Sequence, residues 1–203
     1  MSGYAFVLIQ KGDDVLPVTG APSQEKPLWR ELLETVGGAV ILALFIMTFI
    51  ARAFTVDGPS MLPTLHTGEK LLIDKVTYRF RPPERGEVVV FRYPANPKEH
   101  FIKRVIGVPD DIISIQSGTV YINGQMLEED YLSEKTRGDM SPVKVPPGTV
   151  FVLGDNRNNS HDSRSRLVGF VPFGLVEGRA IWRYWPITAI HIMELPPVFA
   201  EFR

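Results

Sequence analysis

The 203-residue sequence contains no cysteine, which excludes disulfide bridges, thiolate catalysis and zinc–thiolate sites. Its net charge is only −1, so no basic surface suited to nucleic acid is indicated. Internal repeats and low-complexity tracts are also missing. Residues 154–164 are superficially like a calcium loop, but Arg157 occupies a position where an oxygen ligand is needed. We therefore expect no metal, no cofactor and no nucleic-acid partner.

Proline and glycine are abundant, with 17 residues of each, and they separate many short apolar runs. This composition predicts a mainly β protein with an antiparallel, barrel-like sheet. Strand patterns are clear at residues 70–76, 86–93, 100–107 and 149–153, and Asn123-Gly124 indicates a hairpin. We expect residues 55–203 to form one β-rich domain, with a smaller inserted β subdomain or flap around 108–149.

Only one uncharged apolar run approaches the length of a membrane span, and it covers residues 35–51. We expect a tail over residues 1–31 and a single transmembrane anchor over 32–54. A buried core helix is one alternative. A cleaved signal peptide is another, because Ala51-Arg52-Ala53 has the small-x-small pattern of a cleavage site. The cationic residues before the run favour a cytoplasmic N-terminus.

Ser60 lies directly after Gly58-Pro59, a pair that indicates a constrained turn. A serine hydroxyl in such a corner becomes a nucleophile only if a base lies beside it. Lys103 is a candidate base, because the two-residue period of its predicted strand places it between large apolar side chains. Burial would lower the pKa of its ammonium group. The alternative is a lysine that reaches solvent or pairs with a carboxylate.

Histidine is the rival base, and the chain has four histidines. His161-Asp162 beside Ser160, or His66 near Ser60, could suggest a triad. Residues adjacent in sequence rarely have the convergent geometry of a triad, so the lysine is preferred. The polar loop 154–164 carries enough donors and acceptors to fix its own conformation.

Four segments together resemble the sequence boxes of bacterial type I signal peptidases. They are residues 58–65, 86–91, 101–107 and 154–164, in that family's order and after its membrane anchor. The resemblance implies a membrane-bound serine endopeptidase with a largely β catalytic domain, which removes signal peptides after Ala-X-Ala-type sites. It implies a single-pass protein of the plasma membrane, with a cytoplasmic N-terminus and an extracytoplasmic catalytic domain. Preprotein signal peptides and the lipid bilayer are the implied partners, with the export machinery as a further candidate.

The resemblance also implies roles for individual residues. Ser60 matches the nucleophile, Lys103 the general base and Ser160 the hydroxyl that orients the lysine. The positions that match structural ion pairs are Arg104, Asp155, Asp162 and Arg164.

Two positions depart from the family's pattern. Gly58 stands where some members carry a serine that supports the oxyanion hole. If glycine merely replaces that serine, φ at Gly58 should be negative; a positive φ would mean that the backbone requires glycine. Asp110 replaces a glycine that is usual in the turn after Val108-Pro109, so the geometry of that turn needs testing.

Apolar residues close to the proposed dyad in sequence or register predict shallow pockets for small substrate side chains. They are Phe54, Val56, Met61, Leu65, Val90, Phe101 and Ile102. An extended peptide could pair with an exposed strand edge beside them. Two rival functions remain: a self-cleaving Ser/Lys repressor fold, and an inactive membrane-anchored scaffold that binds peptides.

Overall fold

The computed structural model describes residues 27–45 and 50–202, and the chain divides into two compact units at residue 42. Helix α1 spans Leu28–Phe45. The strands are β1 Ala51–Thr55, β2 Lys70–Asp74, β3 Val88–Tyr93, β4 Asn96–Gly107, β5 Ile112–Gln116, β6 Thr119–Ile122, β7 Gln125–Met126, β8 Met140–Lys144, β9 Thr149–Leu153, β10 Val171–Pro172, β11 Val176–Trp185 and β12 His191–Ile192. Short 3₁₀ segments cover Thr77–Arg79, Phe173–Leu175, Ile187–Ala189 and Pro197–Phe202. The expectation of a mainly β, antiparallel fold is confirmed.

Helix α1 carries its few charges near its N-terminal end and is apolar beyond them. Arg30 and Glu34 form an i,i+4 pair with a separation of 3.6 Å between Nε and Oε1. Apolar side chains of the helix, including Val36 and Ile41, are more than half exposed. Among the described residues, no helix combines the length and the hydropathy of a membrane span.

The predicted anchor over residues 32–54 is wrong at its C-terminal end, because Ala51–Thr55 is strand β1. β1 pairs with β2 along its whole length, which satisfies its backbone groups without a helix. Phe54 packs against the apolar cluster below the strand, whereas Arg52 points to solvent and pairs with Glu177. Residues 1–26 of the predicted tail over 1–31, and residues 46–49 of the predicted anchor, lie outside the described residues. The tail is wrong over residues 28–31, which form the start of helix α1.

The main sheet has eight strands in the order β1-β2-β11-β3-β4-β9-β10, with β12 paired to β11. Each neighbouring pair is antiparallel. Strand β4 carries the candidate base Lys103. One edge of β4 is paired with β3 along most of its length. On the other edge, β9 pairs with β4 only from Arg104 onward. The described sheet therefore leaves an open edge along the first half of β4.

A second sheet, in the order β7-β6-β5-β8, is formed entirely by residues 112–144. It is an excursion from the main sheet, because β4 and β9 on either side of it pair directly, with Gly107 opposite Phe151. Asn123 and Gly124 both have positive φ, as the predicted hairpin requires. Asp110 has a φ of 73°, so the turn keeps the geometry that a glycine would adopt more easily.

Alternation along β4 sets which side chains enter which part of the core. Phe101 and Val105 pack into one apolar cluster, whereas Ile102 and Ile106 pack into two others on the opposite face. This alternation confirms the two-residue period predicted from the sequence. Lys103 and Arg104 lie between these residues and are 4% and 2% exposed, so the strand buries one basic side chain on each face of the sheet.

Candidate active site

The turn that carries Ser60 is fixed from both sides. Gly58 has a φ of 90°, in the left-handed region that glycine adopts readily. After the turn, Leu65 N–H donates to the Met61 carbonyl at 2.9 Å, and both of these side chains are fully buried in the core. Of the two alternatives that the sequence left open at Gly58, the positive φ supports the second, in which the backbone itself requires glycine.

Lys103 reaches the Ser60 hydroxyl from strand β4. Its Nζ donates to Ser60 Oγ at 2.7 Å and to the Ile102 carbonyl at 2.8 Å. Burial lowers the pKa of Lys103 to about 8, although the carboxylates of Asp162 and Asp155 partly oppose this change. A substantial share of the amine is therefore neutral in mildly alkaline solution, and a neutral amine can accept the proton of a serine hydroxyl.

The loop 154–164 is attached to the Ser60 turn by hydrogen bonds and to strand β4 by an ion pair. Asn156 N–H donates to the Ser60 carbonyl at 3.0 Å. Asp155 accepts two hydrogen bonds from Arg104, at 2.9 and 2.6 Å, and a third from the Thr64 hydroxyl at 2.6 Å. The Arg104–Asp155 pair is almost completely buried, so the strand, the turn and the loop are held together by charge-assisted bonds.

Asp162 and Arg164 form a second ion pair within the same loop. Arg164 donates to both carboxylate oxygens of Asp162, at 2.8 and 2.7 Å, and also to the Arg157 carbonyl at 2.6 Å. The Gly154 N–H donates to Asp162 Oδ2 at 3.1 Å. Asp162, near the end of the loop, is thus bonded to Gly154 at its start.

Ser160 lies close to the dyad but does not bond to the lysine. Its Oγ is buried and has no hydrogen-bond partner within the described part of the chain. A Cβ added to Gly154 would lie only 2.2 Å from Ser160 Oγ and 2.5 Å from the Ser60 carbonyl oxygen. Gly154 is therefore required by close packing between the loop and the turn, and sequence reasoning did not single it out.

A groove of about 520 Å³ runs over Ser60 and Lys103. Of the predicted pocket residues, those that line it are Phe54, Val56, Met61, Phe101 and Ile102. Leu65 and Val90 do not line it, because both are fully buried in the core cluster that contains Val56 and Met61. They support the apolar wall and do not form its surface.

No histidine hydrogen-bonds to Ser60 in the part of the chain that the structure describes. His66 lies beside Glu69, His100 beside Glu177, and His161 beside the Ser165 hydroxyl. His161 also lines the groove, edge-on to the ring of Phe101. Among the described residues, no cluster of three or more histidine, aspartate or glutamate side chains could hold a metal ion.

Several residues around the dyad are not recognisable as site residues from the sequence. Thr64 is one: its hydroxyl donates to Asp155, a residue far away in the sequence. Glu129 is another: it lies in the excursion between β7 and β8, yet its carboxylate pairs with Arg157 of the loop. Such a pairing depends on tertiary folding and leaves no local pattern.

The chain matches a family model described as signal peptidase, peptidase S26, over residues 29–185. It is 42% identical over 191 residues to a signal peptidase I of Leptolyngbya laminosa, covering 90% of this chain and 92% of the relative. It is 45% identical over 170 residues to a probable signal peptidase I-2 of Synechocystis, covering 81% and 77%. A signal peptidase I of Bacillus caldolyticus is 38% identical over 162 residues, covering 73% and 87%.

These similarities define the protein as a serine endopeptidase. The chain belongs to the signal peptidase family, peptidase S26, whose activity is the removal of signal peptides.

Proposed function

We propose that the protein cleaves signal peptides from exported preproteins with Ser60 as nucleophile and Lys103 as general base. The observation that carries this proposal is the 2.7 Å hydrogen bond between Lys103 Nζ and Ser60 Oγ. The pKa of Lys103, lowered by burial to about 8, supports it, because only the neutral amine can take a proton. Asp155, Asp162, Arg104 and Arg164 are proposed to hold the loop beside this pair.

In the proposed reaction Lys103 relays two protons, one during acylation and one during deacylation. The neutral amine accepts the Ser60 proton as Oγ attacks the scissile carbonyl carbon, which gives a tetrahedral oxyanion. The resulting ammonium then donates that proton to the leaving amine, and an acyl-enzyme remains on Ser60. Water attacks the ester after losing a proton to the same amine, and Ser60 is released with its proton restored. Orientation of the lysine by Ser160 is not included in this cycle, because Ser160 Oγ makes no hydrogen bond within the described residues.

The groove supports a preference for small side chains at the Ala-X-Ala positions. Part of its wall is apolar, and Val56, Met61, Leu65 and Val90 belong to one buried cluster behind that wall, which supports small pockets and not deep ones. The open edge of β4 before Arg104 offers free backbone groups for an extended peptide. Alternate side chains of such a peptide would point into the groove.

A membrane anchor is proposed for the N-terminal region. Residues 35–50 contain no charge, and the described part of this run is helical up to Phe45, with exposed apolar side chains. A bilayer of the plasma membrane would cover these side chains. We propose a cytoplasmic N-terminus and a catalytic domain on the extracytoplasmic side, where exported preproteins, and the machinery that delivers them, present their cleavage sites.

The test is cleavage of a signal-peptide substrate by the full-length protein purified in detergent. Ser60→Ala, Lys103→Ala and Lys103→Arg should each abolish cleavage, since arginine cannot lose its proton in a protein. Replacement of any one of the four histidines by alanine should never be as damaging as Lys103→Ala. A histidine variant that is equally inactive would overturn the dyad. Binding of the peptide without cleavage by the wild-type protein would instead favour an inactive scaffold.

A further inference from the structure

Arg157 has an unusual position for a cation, since its side chain has no solvent exposure at all. Its guanidinium donates to the Gly154 carbonyl at 3.1 Å, to Glu129 Oε2 at 2.5 Å and to the Thr136 hydroxyl at 3.3 Å. A second bond joins Arg157 Nη2 and Glu129 Oε1. Glu129 is the carboxylate that pairs with this buried charge in the described residues.

Glu129 belongs to the segment 127–139, which connects β7 and β8 of the second sheet. Two further contacts join this segment to the loop 154–164. Asn158 Nδ2 donates to the Lys135 carbonyl at 3.0 Å, and Arg137 N–H donates to Asn158 Oδ1 at 2.8 Å. The segment between β7 and β8 therefore holds the loop through contacts separate from those that the loop makes with the Ser60 turn.

The loop held in this way contacts the dyad at several atoms. Asn156 N–H bonds to the Ser60 carbonyl, and Gly154 packs between Ser60 and Ser160 with no room for a Cβ. Asp155 and Asp162 of the loop are the charged groups whose fields act on Lys103. A small displacement of the loop would therefore alter both the position of Ser60 and the electrostatic surroundings of Lys103.

We propose that Glu129 is a positioning residue for the active site, which acts by holding Arg157 and, through it, the loop 154–164 against Ser60. This proposal rests on the proposed function of the Ser60–Lys103 pair. The physical reason is that a buried guanidinium cannot lose its proton, so it must be paired or must move to solvent. Without Glu129, Arg157 would move outward and release the Gly154 carbonyl.

A merely structural ion pair would behave differently from a positioning one. If Glu129 only stabilises the fold, its replacement lowers the melting temperature but leaves the activity of folded molecules unchanged. If it positions the loop, the kcat of folded molecules falls, and the acid limb of the pH profile moves with the surroundings of Lys103. A misplacement of about 1 Å can cost on the order of 100-fold in rate.

The test compares Glu129→Gln with the matched control Glu128→Gln, which changes an exposed neighbour. Cleavage of a signal-peptide substrate is measured across pH by full-length protein in detergent, well below the melting temperature of each variant. Glu129→Gln should lower kcat by about 10- to 100-fold with a smaller change in KM, and should shift the acid limb. Glu128→Gln should have the same kcat, the same KM and the same acid limb as the wild type.

A double variant, Glu129→Met with Arg157→Met, keeps the test decisive if the single variant folds poorly. Replacement of both buried charges by apolar side chains of similar length removes the unpaired cation, so the melting temperature should recover. The reduced kcat should persist, because the bond to the Gly154 carbonyl is still missing. Recovery of both quantities would assign a purely structural role to the pair.

The outcomes separate the two proposals. If the wild type cleaves, Lys103→Ala does not, and Glu129→Gln has the kcat and acid limb of the wild type, then only the positioning role is overturned. If the wild type fails to cleave, or Lys103→Ala remains active, then the Ser60–Lys103 function falls, and the positioning role falls with it.

Discussion

At the scale of single residues, the protonation of Lys103 should control how kcat/KM depends on pH. With a pKa of about 8, its amine is neutral in only about one molecule in ten at pH 7. The neutral form is the competent one, so kcat/KM should rise about tenfold per pH unit below the pKa and become level above it. Rate measurements between pH 5 and about pH 10 test this. An acid limb near pH 4 would indicate a carboxylate base, and one near pH 6.5 a histidine.

Gly58 offers a second prediction at this scale. Its φ of 90° suits glycine, and an added Cβ would meet no atom within 4 Å, so a side chain here is strained but not crowded. Gly58→Ala and Gly58→Ser should each lower the free energy of unfolding by about 1 kcal/mol. Each should also reduce kcat/KM, because relaxation of φ would move the nearby Ser60.

Gly174 provides the control for this strain. An added Cβ there also meets nothing within 4 Å, and φ lies outside the left-handed range. Gly174→Ala should therefore leave urea unfolding and kcat/KM close to those of the wild type. Equal effects at both glycines would show that strain at Gly58 is not the cause.

Local patterns made Ser60 and Lys103 candidates, but their pairing was implied by the family resemblance. The glycine-proline turn and the alternation along β4 each leave a pattern in a few consecutive residues. The Ser160–Lys103 contact was expected only from family resemblance, and the structure does not form it. The pairing of Glu129 with Arg157 left no pattern, because two distant segments create it.

At the scale of secondary-structure elements, the Arg104–Asp155 pair connects β4 to the loop. Its side chains are 2% and 0% exposed. Asp155→Asn would leave a buried, unpaired guanidinium, which should cost about 3–5 kcal/mol of unfolding free energy. Urea denaturation monitored by circular dichroism measures this cost.

An exposed ion pair gives the matched control. Lys144 and Asp110 are separated by 2.8 Å, but their side chains are 64% and 74% exposed. Asp110→Asn should change the unfolding free energy by less than about 1 kcal/mol, because solvent screens the pair and asparagine tolerates positive φ. If Asp155→Asn lowers the unfolding free energy no more than Asp110→Asn does, the proposed contribution of burial is contradicted.

Strand β1 shows where sequence reasoning about elements failed. The uncharged run favours a helix, and nothing within it indicates the change to a strand at Ala51. That change depends on β2, which supplies hydrogen-bond partners about twenty residues away, and on the apolar cluster that receives Phe54. Long-range pairing of this kind overrides local preference.

At the scale of the whole molecule, the buried base should reduce stability. Burial lowers the pKa of Lys103 from 10.5 to about 8. Between these values the unfolded chain binds more protons, so stability rises with pH through this window and is lost as pH falls to about 8. Lys103→Met should therefore be more stable than the wild type by about 1–3 kcal/mol near pH 6, although it is inactive.

The difference between Lys103→Met and the wild type should shrink as the pH rises from about 8 through 10.5, because above 10.5 the wild-type amine is neutral in both states. Lys98→Met, which replaces an exposed lysine of the same strand, should show no such trend. Thermal melts at several pH values measure both series. A stability gap that widens with rising pH would contradict a buried, destabilising ammonium.

The order of strands in the main sheet could not be predicted from the sequence. Strand β11 lies between β2 and β3, although more than eighty residues separate it from either in the chain. Antiparallel pairing, short strands and the excursion between β4 and β9 were all indicated by turn residues and alternation. The neighbour relations depend on which faces fit together in the core, and single-sequence patterns do not record this fit.

The direct pairing of Gly107 with Phe151 makes the second sheet an interchangeable module. Its two ends leave the main sheet side by side, so a lobe of different size could replace it without stretching the framework, since loop closure costs little extra entropy as length grows. Any replacement lobe must still meet two conditions: it must cover the apolar cluster that the second sheet shares with Ile106, Phe151 and Leu153, and it must present an anion to Arg157. The length of the lobe can therefore vary more freely than the face that it turns toward the main sheet.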